Sequence, residues 1–217
     1  MKKYMTACFT LMLLAGMLAG CTPNTTAEPS ASESKQATTN AAPPAIQSDS
    51  ESLSTQGLKA YQQFEYDKAI ALYDKAIDAD HNNYKAYSGK GIAMAMRGNA
   101  TGNKADVSSG IAYIQKALSL YPDYVPTFYD LALACKINGQ YNIAIQYFQK
   151  VIDAEPDNTW SYYGIATIYG DQGQAKEAIA YLKKAIALDP QNVKEAARTQ
   201  SHFDKIRNNA DFQALVQ

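Results

Sequence analysis

The chain has 217 residues, of which 47% are hydrophobic and 19% are charged, a composition typical of a globular protein rather than a disordered one. With 20 Lys and Arg against 21 Asp and Glu, it has a formal charge of −1 and no basic excess for a phosphate backbone, which excludes nucleic acid as an expected partner. The two His and three Cys are too widely spaced for a zinc site or a disulfide framework, so we predict neither a metal site nor a cofactor.

Residues 1–20 have the pattern of a secretory signal peptide. Lys2 and Lys3 precede an apolar run from Met5 to Leu18, which is shorter than the roughly 20 residues that a membrane-spanning helix needs. The run ends in Leu18-Ala19-Gly20-Cys21, which resembles the lipobox of bacterial lipoproteins. The resemblance implies cleavage before Cys21, lipidation of Cys21, and an extracytoplasmic protein anchored to the cell membrane, or to an outer membrane where there is one. The alternative is an ordinary secretory signal.

Residues 21–49 are predicted to be a disordered tether that follows the lipidated Cys21. Ser, Thr, Ala, Asn, Pro and Gln dominate from Thr22 to about Asp49, and this composition buries too little apolar surface to offset the entropy of ordering. A flexible coil of this length spans roughly 30 Å on average, so the tether would lift a folded domain off the membrane.

A 34-residue repeat fills most of the remaining chain. Pro122, Pro156 and Pro190 are spaced by 34 residues, and each follows a recurring phrase such as Leu182-Lys183-Lys184-Ala185-Ile186. His81 takes the place of the proline in the first repeat. The spacing from His81 to Pro122 exceeds the 34-residue period by seven residues. Period and pattern resemble the tetratricopeptide repeat, in which each unit is a pair of antiparallel helices. The resemblance implies an all-α, right-handed superhelical solenoid.

The predicted solenoid covers residues 50–192 and is followed by a cap. Small residues such as Ala144 and Ala178 are expected where paired helices meet, and Tyr73, Phe148 and Leu182 are expected to fill the space between units. The seven extra residues, 99–105, are expected to lengthen the turn of the second unit. The predicted units are 50–83, 84–124, 125–158 and 159–192, and a C-terminal capping helix covers 193–217.

The resemblance also implies a concave groove lined by the first helix of each unit. We expect an apolar and aromatic groove, edged by Lys85 and Lys136, that binds a segment of a partner protein. The ninth position of each first helix carries no Asn, so the clamp for a terminal carboxylate found in chaperone-binding members is not expected. Packing of Trp160 and Tyr163 against the preceding unit is an open alternative. The candidate groove residues are Leu58, Tyr61, Ile92, Met96, Tyr129, Leu133, Ile137, Trp160 and Tyr163.

These features predict a membrane-anchored scaffold for protein–protein interaction, acting in cell-envelope assembly, secretion or the regulation of wall enzymes. No converging titratable groups point to an enzyme, Cys135 is expected to be a buried inert thiol, and His81 and His202 are expected at the surface or at helix caps. The alternative is a module that binds glycan or peptidoglycan by stacking on Tyr129, Trp160, Tyr162 and Tyr163. The sequence leaves the partner's identity and the oligomeric state open.

Overall fold

The structure is a computed structural model that describes residues 42–217. The predicted signal peptide, Cys21 and most of the predicted tether lie outside the described residues. Residues 42–217 form α-helices and one short 3-10 helix, Ser201–Ile206, with no strand among them. The α-helices are α1 Ser48–Gln62, α2 Tyr66–Ala79, α3 Tyr84–Thr101, α4 Lys104–Leu120, α5 Val125–Ile137, α6 Tyr141–Ala154, α7 Thr159–Asp171, α8 Ala175–Leu188, α9 Pro190–Thr199 and α10 Ala210–Val216.

Helices α1 to α8 pair into four helical hairpins that stack in chain order. Within each hairpin the first helix packs along the second, and the second helix also contacts the first helix of the next hairpin. The first helices α1, α3, α5 and α7 contact one another in succession, so they form a continuous inner layer. This arrangement confirms the predicted all-α solenoid, because a hairpin buries its apolar face only by stacking on its neighbours.

The core is built as the repeat pattern predicts. Tyr73, Phe148 and Leu182, expected between units, are 3%, 1% and 0% exposed. Ala144 and Ala178 are fully buried where paired helices meet. Burial of each large side chain contributes about 1.5–3 kcal/mol to stability, so the spaces between units hold much of the stabilising surface.

Side-chain caps mark the start of two first helices, α3 and α7, and of the C-terminal cap. The Asn83 side-chain oxygen accepts a hydrogen bond from the backbone N–H of Ala86 at 2.9 Å, and Asn158 accepts one from Ser161 at 3.1 Å. Asp189 caps α9, whose first residue is Pro190. Such caps satisfy backbone donors that have no partner inside the helix and typically contribute about 1 kcal/mol each.

The turns within the hairpins share one left-handed residue. Gly102, Gly139 and Gly173 have φ of 72°, 75° and 76°, a conformation that glycine adopts without steric cost. The first hairpin has Phe64 at this place, with φ of 60° and a side chain that is 76% exposed. The turn geometry is therefore kept even where a side chain makes it unfavourable by about 1–2 kcal/mol.

The seven extra residues of the second unit do not lengthen its turn, so that prediction was wrong. They lengthen both helices instead: α3 has 18 residues and α4 has 17, and only Gly102 and Asn103 lie between them. Asn103 caps α4 by accepting from the N–H groups of Ala105 and Asp106. Extending the helices gives the added backbone groups intrahelical hydrogen bonds, which an open loop would leave to water.

The C-terminal cap is present but is not one continuous helix across the predicted apolar stripe from Val193 to Ile206. Gln200 is extended, with ψ of 141°, and separates α9 from the 3-10 helix. The Arg207 guanidinium donates to the backbone oxygens of Arg198 and Gln200 and so holds the bend. The break lets the 3-10 helix turn back onto α7, where a single straight helix would have run past it.

Candidate functional site

The inner layer of first helices brings the predicted groove residues together around two hollows. The N-terminal hollow has a volume of about 460 Å³ and contains Leu58, Tyr61 and Ile92 of the predicted set. It is formed mainly by α1, α3 and the start of α5. Its lining residues are Glu51, Ser54, Thr55, Leu58, Tyr61, Tyr73, Lys85, Ser88, Gly89, Ile92, Tyr124, Pro126 and Asp130.

The C-terminal hollow has a volume of about 490 Å³ and contains the other six predicted residues. It is formed mainly by α3, α5, α7 and the cap, with Tyr141 and Phe148 contributed by α6. Its lining residues are Met96, Asn99, Tyr129, Leu133, Lys136, Ile137, Tyr141, Phe148, Trp160, Tyr163, Gly164, Thr167, Asp171, Gln200 and His202.

The two hollows are neighbours along the same helices. Ile92 of the N-terminal hollow and Met96 of the C-terminal hollow are one turn apart on α3. Asp130 and Tyr129 are adjacent on α5 and line one hollow each. We call the two hollows together the groove.

The predicted groove residues differ in how much of their surface is free. Leu58 and Trp160 are 47% and 44% exposed, one in each hollow, whereas Ile92 and Tyr163 are 4% and 5% exposed. The remaining five are partly exposed. Ile92 and Tyr163 therefore form the floor of the groove, and Leu58 and Trp160 offer the largest apolar contact surface to a bound segment.

Tyr163 packs within the fourth unit and against the cap. Its ring meets Phe203 of the 3-10 helix edge-on, with centroids 5.9 Å apart, and meets Trp160 at 5.5 Å. Its hydroxyl donates to the side-chain oxygen of Gln200 at 2.9 Å. Tyr163 is thus a structural link between α7 and the cap.

The two lysines at the groove edge are engaged with other side chains. Lys85 donates to Glu51 Oε1 at 2.7 Å, and this hydrogen bond raises the pKa of Lys85. Lys136 lies 3.3 Å from His202 Nε2, and its burial lowers the pKa of Lys136 to about 8. Both lysines that were expected to edge the groove therefore contact polar side chains of the fold.

His202 connects Lys136 to Asp171 at the end of the C-terminal hollow. His202 Nδ1 lies 2.9 Å from both carboxylate oxygens of Asp171. Because a carboxylate only accepts and an ammonium only donates, Nδ1 carries the proton and Nε2 accepts from Lys136. His202 is partly exposed and links Lys136 of α5 to Asp171 of α7. The sequence offered no signal for it, since Asp171 and His202 are 31 residues apart.

Asp130 is the second feature that the sequence did not predict. Its carboxylate accepts a hydrogen bond from the Ser88 hydroxyl at 2.7 Å on the floor of the N-terminal hollow. Burial raises the pKa of the Asp130 carboxyl to about 7, and the bond from Ser88 offsets only part of that effect. The groove therefore contains a carboxyl group whose charge changes near neutral pH.

The described residues contain little that points to metal or thiol chemistry. Cys135 is buried, as predicted, and burial raises the pKa of its thiol to about 11, which disfavours the reactive thiolate. Across residues 42–217, no group of three or more His, Cys, Asp or Glu is placed to hold a metal ion. In the same range, no helix has the length and apolar character needed to cross a membrane.

Comparison with known proteins agrees with the repeat architecture. Two tetratricopeptide-repeat family models match the sequence, one over residues 113–146 and the other over residues 137–202. No curated protein matches the chain by sequence.

Solved structures with the same fold include MamA and YrrB. A MamA fragment from Desulfovibrio magneticus RS-1 is 19% identical with a TM-score of 0.55, and the match covers 79% of this chain and 97% of that one. YrrB, described as a tetratricopeptide-repeat protein with an unusual peptide-binding site, is 18% identical with a TM-score of 0.53, covering 77% of this chain and 82% of YrrB. Residues 113–202 therefore match tetratricopeptide repeats, and residues 42–217 have the fold of a tetratricopeptide-repeat solenoid.

Proposed function

We propose that this protein is a membrane-anchored scaffold that binds a segment of a partner protein in the groove. The observation that carries the proposal is the convergence of all nine predicted groove residues on two neighbouring hollows. Leu58 and Trp160 present apolar surface there without being needed to fill the core. Large apolar side chains in a concave surface are typical anchors for a bound peptide.

The relationship to YrrB supports a peptide as the ligand. YrrB has the same fold and a peptide-binding site, although the identity of 18% carries over the fold rather than the residues of that site. The argument for this chain therefore rests on its own groove. We further propose that the protein acts in the cell envelope, in assembly, secretion or the regulation of wall enzymes. This part of the proposal rests on the lipobox-like Leu18-Ala19-Gly20-Cys21.

The burial of the groove aromatics favours a protein segment over a glycan. A sugar ring stacks on an open aromatic face, and of the four rings predicted for stacking only Trp160 is exposed. Tyr163 is buried, and Tyr129 and Tyr162 are partly covered. One open ring next to the apolar Leu133 and Ile137 fits an apolar peptide side chain better than a row of sugars.

Photo-crosslinking in the native envelope tests the binding proposal. A photoreactive phenylalanine derivative replaces Leu58 or Trp160, and a matched control places it at Asp78, which is exposed on the outer helix α2. We expect one protein to be captured from both groove positions and not from position 78. Equal capture from all three positions, or recovery of peptidoglycan with no captured protein, would contradict the proposal.

Lipid anchoring is tested separately at Cys21. We expect the wild-type chain to incorporate labelled palmitate and to be retained with membranes, and Cys21→Ser to lose both properties. Two acyl chains are enough for stable anchoring, so the loss in the variant is expected to be complete. Palmitate labelling of Cys21→Ser would show that the lipobox interpretation is wrong.

A further inference from the structure

The Asp130 carboxylate on the floor of the N-terminal hollow has no cationic partner in the described part of the chain. Its one side-chain hydrogen bond comes from the neutral hydroxyl of Ser88. Across residues 42–217, no Lys, Arg or His forms an ion pair with it. A carboxylate that is partly covered by protein and left without a counter-ion is unfavourable for folding.

Other carboxylates that are largely covered are satisfied in a different way. Asp106 receives two hydrogen bonds from the Arg97 guanidinium, at 2.7 and 2.9 Å. Asp80 accepts the backbone N–H groups of Gln47 and Asn82, which lower its pKa. Asp130 is the contrasting case, and its pKa is raised instead. A charge kept at a cost to stability inside a concave site points to a ligand that would neutralise it.

The surroundings of Asp130 suit a cation. Glu51 also lines the N-terminal hollow, and while its Oε1 is paired with Lys85, its Oε2 has no partner among residues 42–217. With Asp130 ionised, two acidic side chains face one lysine, so the hollow has an excess of one negative charge. The rings of Tyr61 and Tyr124 also line the hollow, and aromatic faces attract cations.

The N-terminal hollow has room for a long basic side chain. The volume of about 460 Å³ lies within the range of about 300–1,000 Å³ typical of ligand pockets. The hollow opens beside the C-terminal hollow, whose lining includes Leu133, Ile137 and Trp160. A peptide anchored there by an apolar residue would carry a neighbouring side chain to Asp130. We propose that the N-terminal hollow binds a lysine or arginine side chain of the partner segment, with the Asp130 carboxylate as its counter-ion. This inference rests on the function proposed above.

Selection of random displayed peptides on the full chain, purified in detergent, tests the proposal. We expect the enriched peptides to share a Lys or Arg at constant spacing from an apolar or aromatic residue. Replacing that basic residue by norleucine is expected to weaken binding to the wild-type chain by about tenfold or more, as for other buried charge pairs. The same replacement is expected to change binding to Asp130→Asn by less than about twofold, because no charge is left to pair.

Asp78→Asn is the matched control, since it removes the same charge from the exposed face of α2. Replacing the basic residue of the peptide by norleucine should weaken binding to Asp78→Asn as much as it weakens binding to the wild-type chain. If Asp130→Asn fails to fold, the wild-type chain is measured alone: affinity for the basic peptide should rise between pH 6 and pH 8.5, and affinity for the norleucine peptide should not.

Each outcome has a definite meaning. Two results would overturn this inference and leave the groove as a peptide-binding site. The first is enrichment of peptides that share no basic residue. The second is an equal loss of affinity for the wild-type chain and for Asp130→Asn when the basic residue is replaced by norleucine. Enrichment of acidic peptides would place the charged contact at Lys136 and also overturn it. Failure to enrich any peptide on the wild-type chain would overturn both this inference and the proposed function.

Discussion

The Ser88 hydroxyl of α3 and the Asp130 carboxylate of α5 form a hydrogen bond of 2.7 Å between two neighbouring first helices. The two residues are 42 positions apart, and Ser88 itself is buried. This bond holds the carboxylate at the floor of the N-terminal hollow without neutralising it. The groove is therefore charged as well as apolar, which changes what is expected of its variants.

Asp130→Asn is expected to stabilise the protein at alkaline pH. The folded state keeps the Asp130 proton up to about pH 7, whereas an unfolded Asp releases it near pH 4. The folded state therefore binds more protons between these values, and the free energy of unfolding of the wild-type chain falls as pH rises through this window. Asn removes this effect, so we expect it to raise the free energy of unfolding by about 1–3 kcal/mol at pH 8, allowing for solvent in the hollow.

Urea denaturation of wild type and Asp130→Asn from pH 4 to pH 8.5 measures this difference. The difference in the free energy of unfolding between Asp130→Asn and wild type should be small at pH 4, grow with pH, and level off above about pH 7. Asp78→Asn, which changes an exposed residue, should stay within about 0.5 kcal/mol of wild type throughout. A gap that does not depend on pH would show that Asp130 is not the titrating group.

Trp160→Ala and Tyr163→Ala are expected to separate binding from folding. Trp160 is 44% exposed, so its removal should leave the melting temperature nearly unchanged and weaken partner binding by about 1–3 kcal/mol. Tyr163 is buried against Phe203 and bonded to Gln200, so its truncation should lower the free energy of unfolding by about 3–5 kcal/mol. Thermal melts and quantitative capture of the crosslinked partner measure the two effects. Equal destabilisation by both changes would mean that Trp160 belongs to the core.

Phe64→Gly is expected to stabilise the first hairpin. Phe64 has φ of 60°, where the other hairpins use Gly, and its exposed side chain contributes little burial. Relief of the left-handed strain should exceed the entropy cost of glycine and raise the free energy of unfolding by about 0.5–1 kcal/mol. Phe64→Ala is the control, because Ala keeps the strain, and it should bring no gain. A loss of stability in Phe64→Gly would mean that the edge-on contact with Tyr66 outweighs the strain.

Deletion of residues 99–103 is expected to be strongly destabilising. The sequence alone led us to expect a longer turn here, but these residues include the end of α3 and Asn103, the N-cap of α4. Their loss would also disturb the pairing of Arg97 with Asp106, which joins the two helices at 2.7 Å. We expect a loss of at least about 3 kcal/mol in the free energy of unfolding, from the lost cap and the disrupted helix packing together. Near-wild-type stability would restore the loop interpretation.

The repeat architecture could be predicted because it depends on local periodicity in the sequence. The 34-residue spacing, the small residues at Ala144 and Ala178, and the large ones at Phe148 and Leu182 all act within a hairpin or between adjacent hairpins. The membership of the groove was implied by the resemblance to the tetratricopeptide repeat, in which equivalent positions of successive first helices line the concave face. Even the burial of Cys135 follows from its place in the pattern.

The charges in the groove could not be predicted, because they depend on contacts between distant residues. Asp130 meets Ser88 across 42 residues, and His202 meets Lys136 across 66 through a bend at Gln200 that no repeat pattern encodes. Likewise, whether residues 99–105 form a loop or lengthen two helices depends on whether α3 and α4 can remain paired beyond the usual unit. Periodicity specifies which face of a helix is apolar. The environment of each polar group, and with it the charge the groove presents, arises only when separate helices pack together and exclude water.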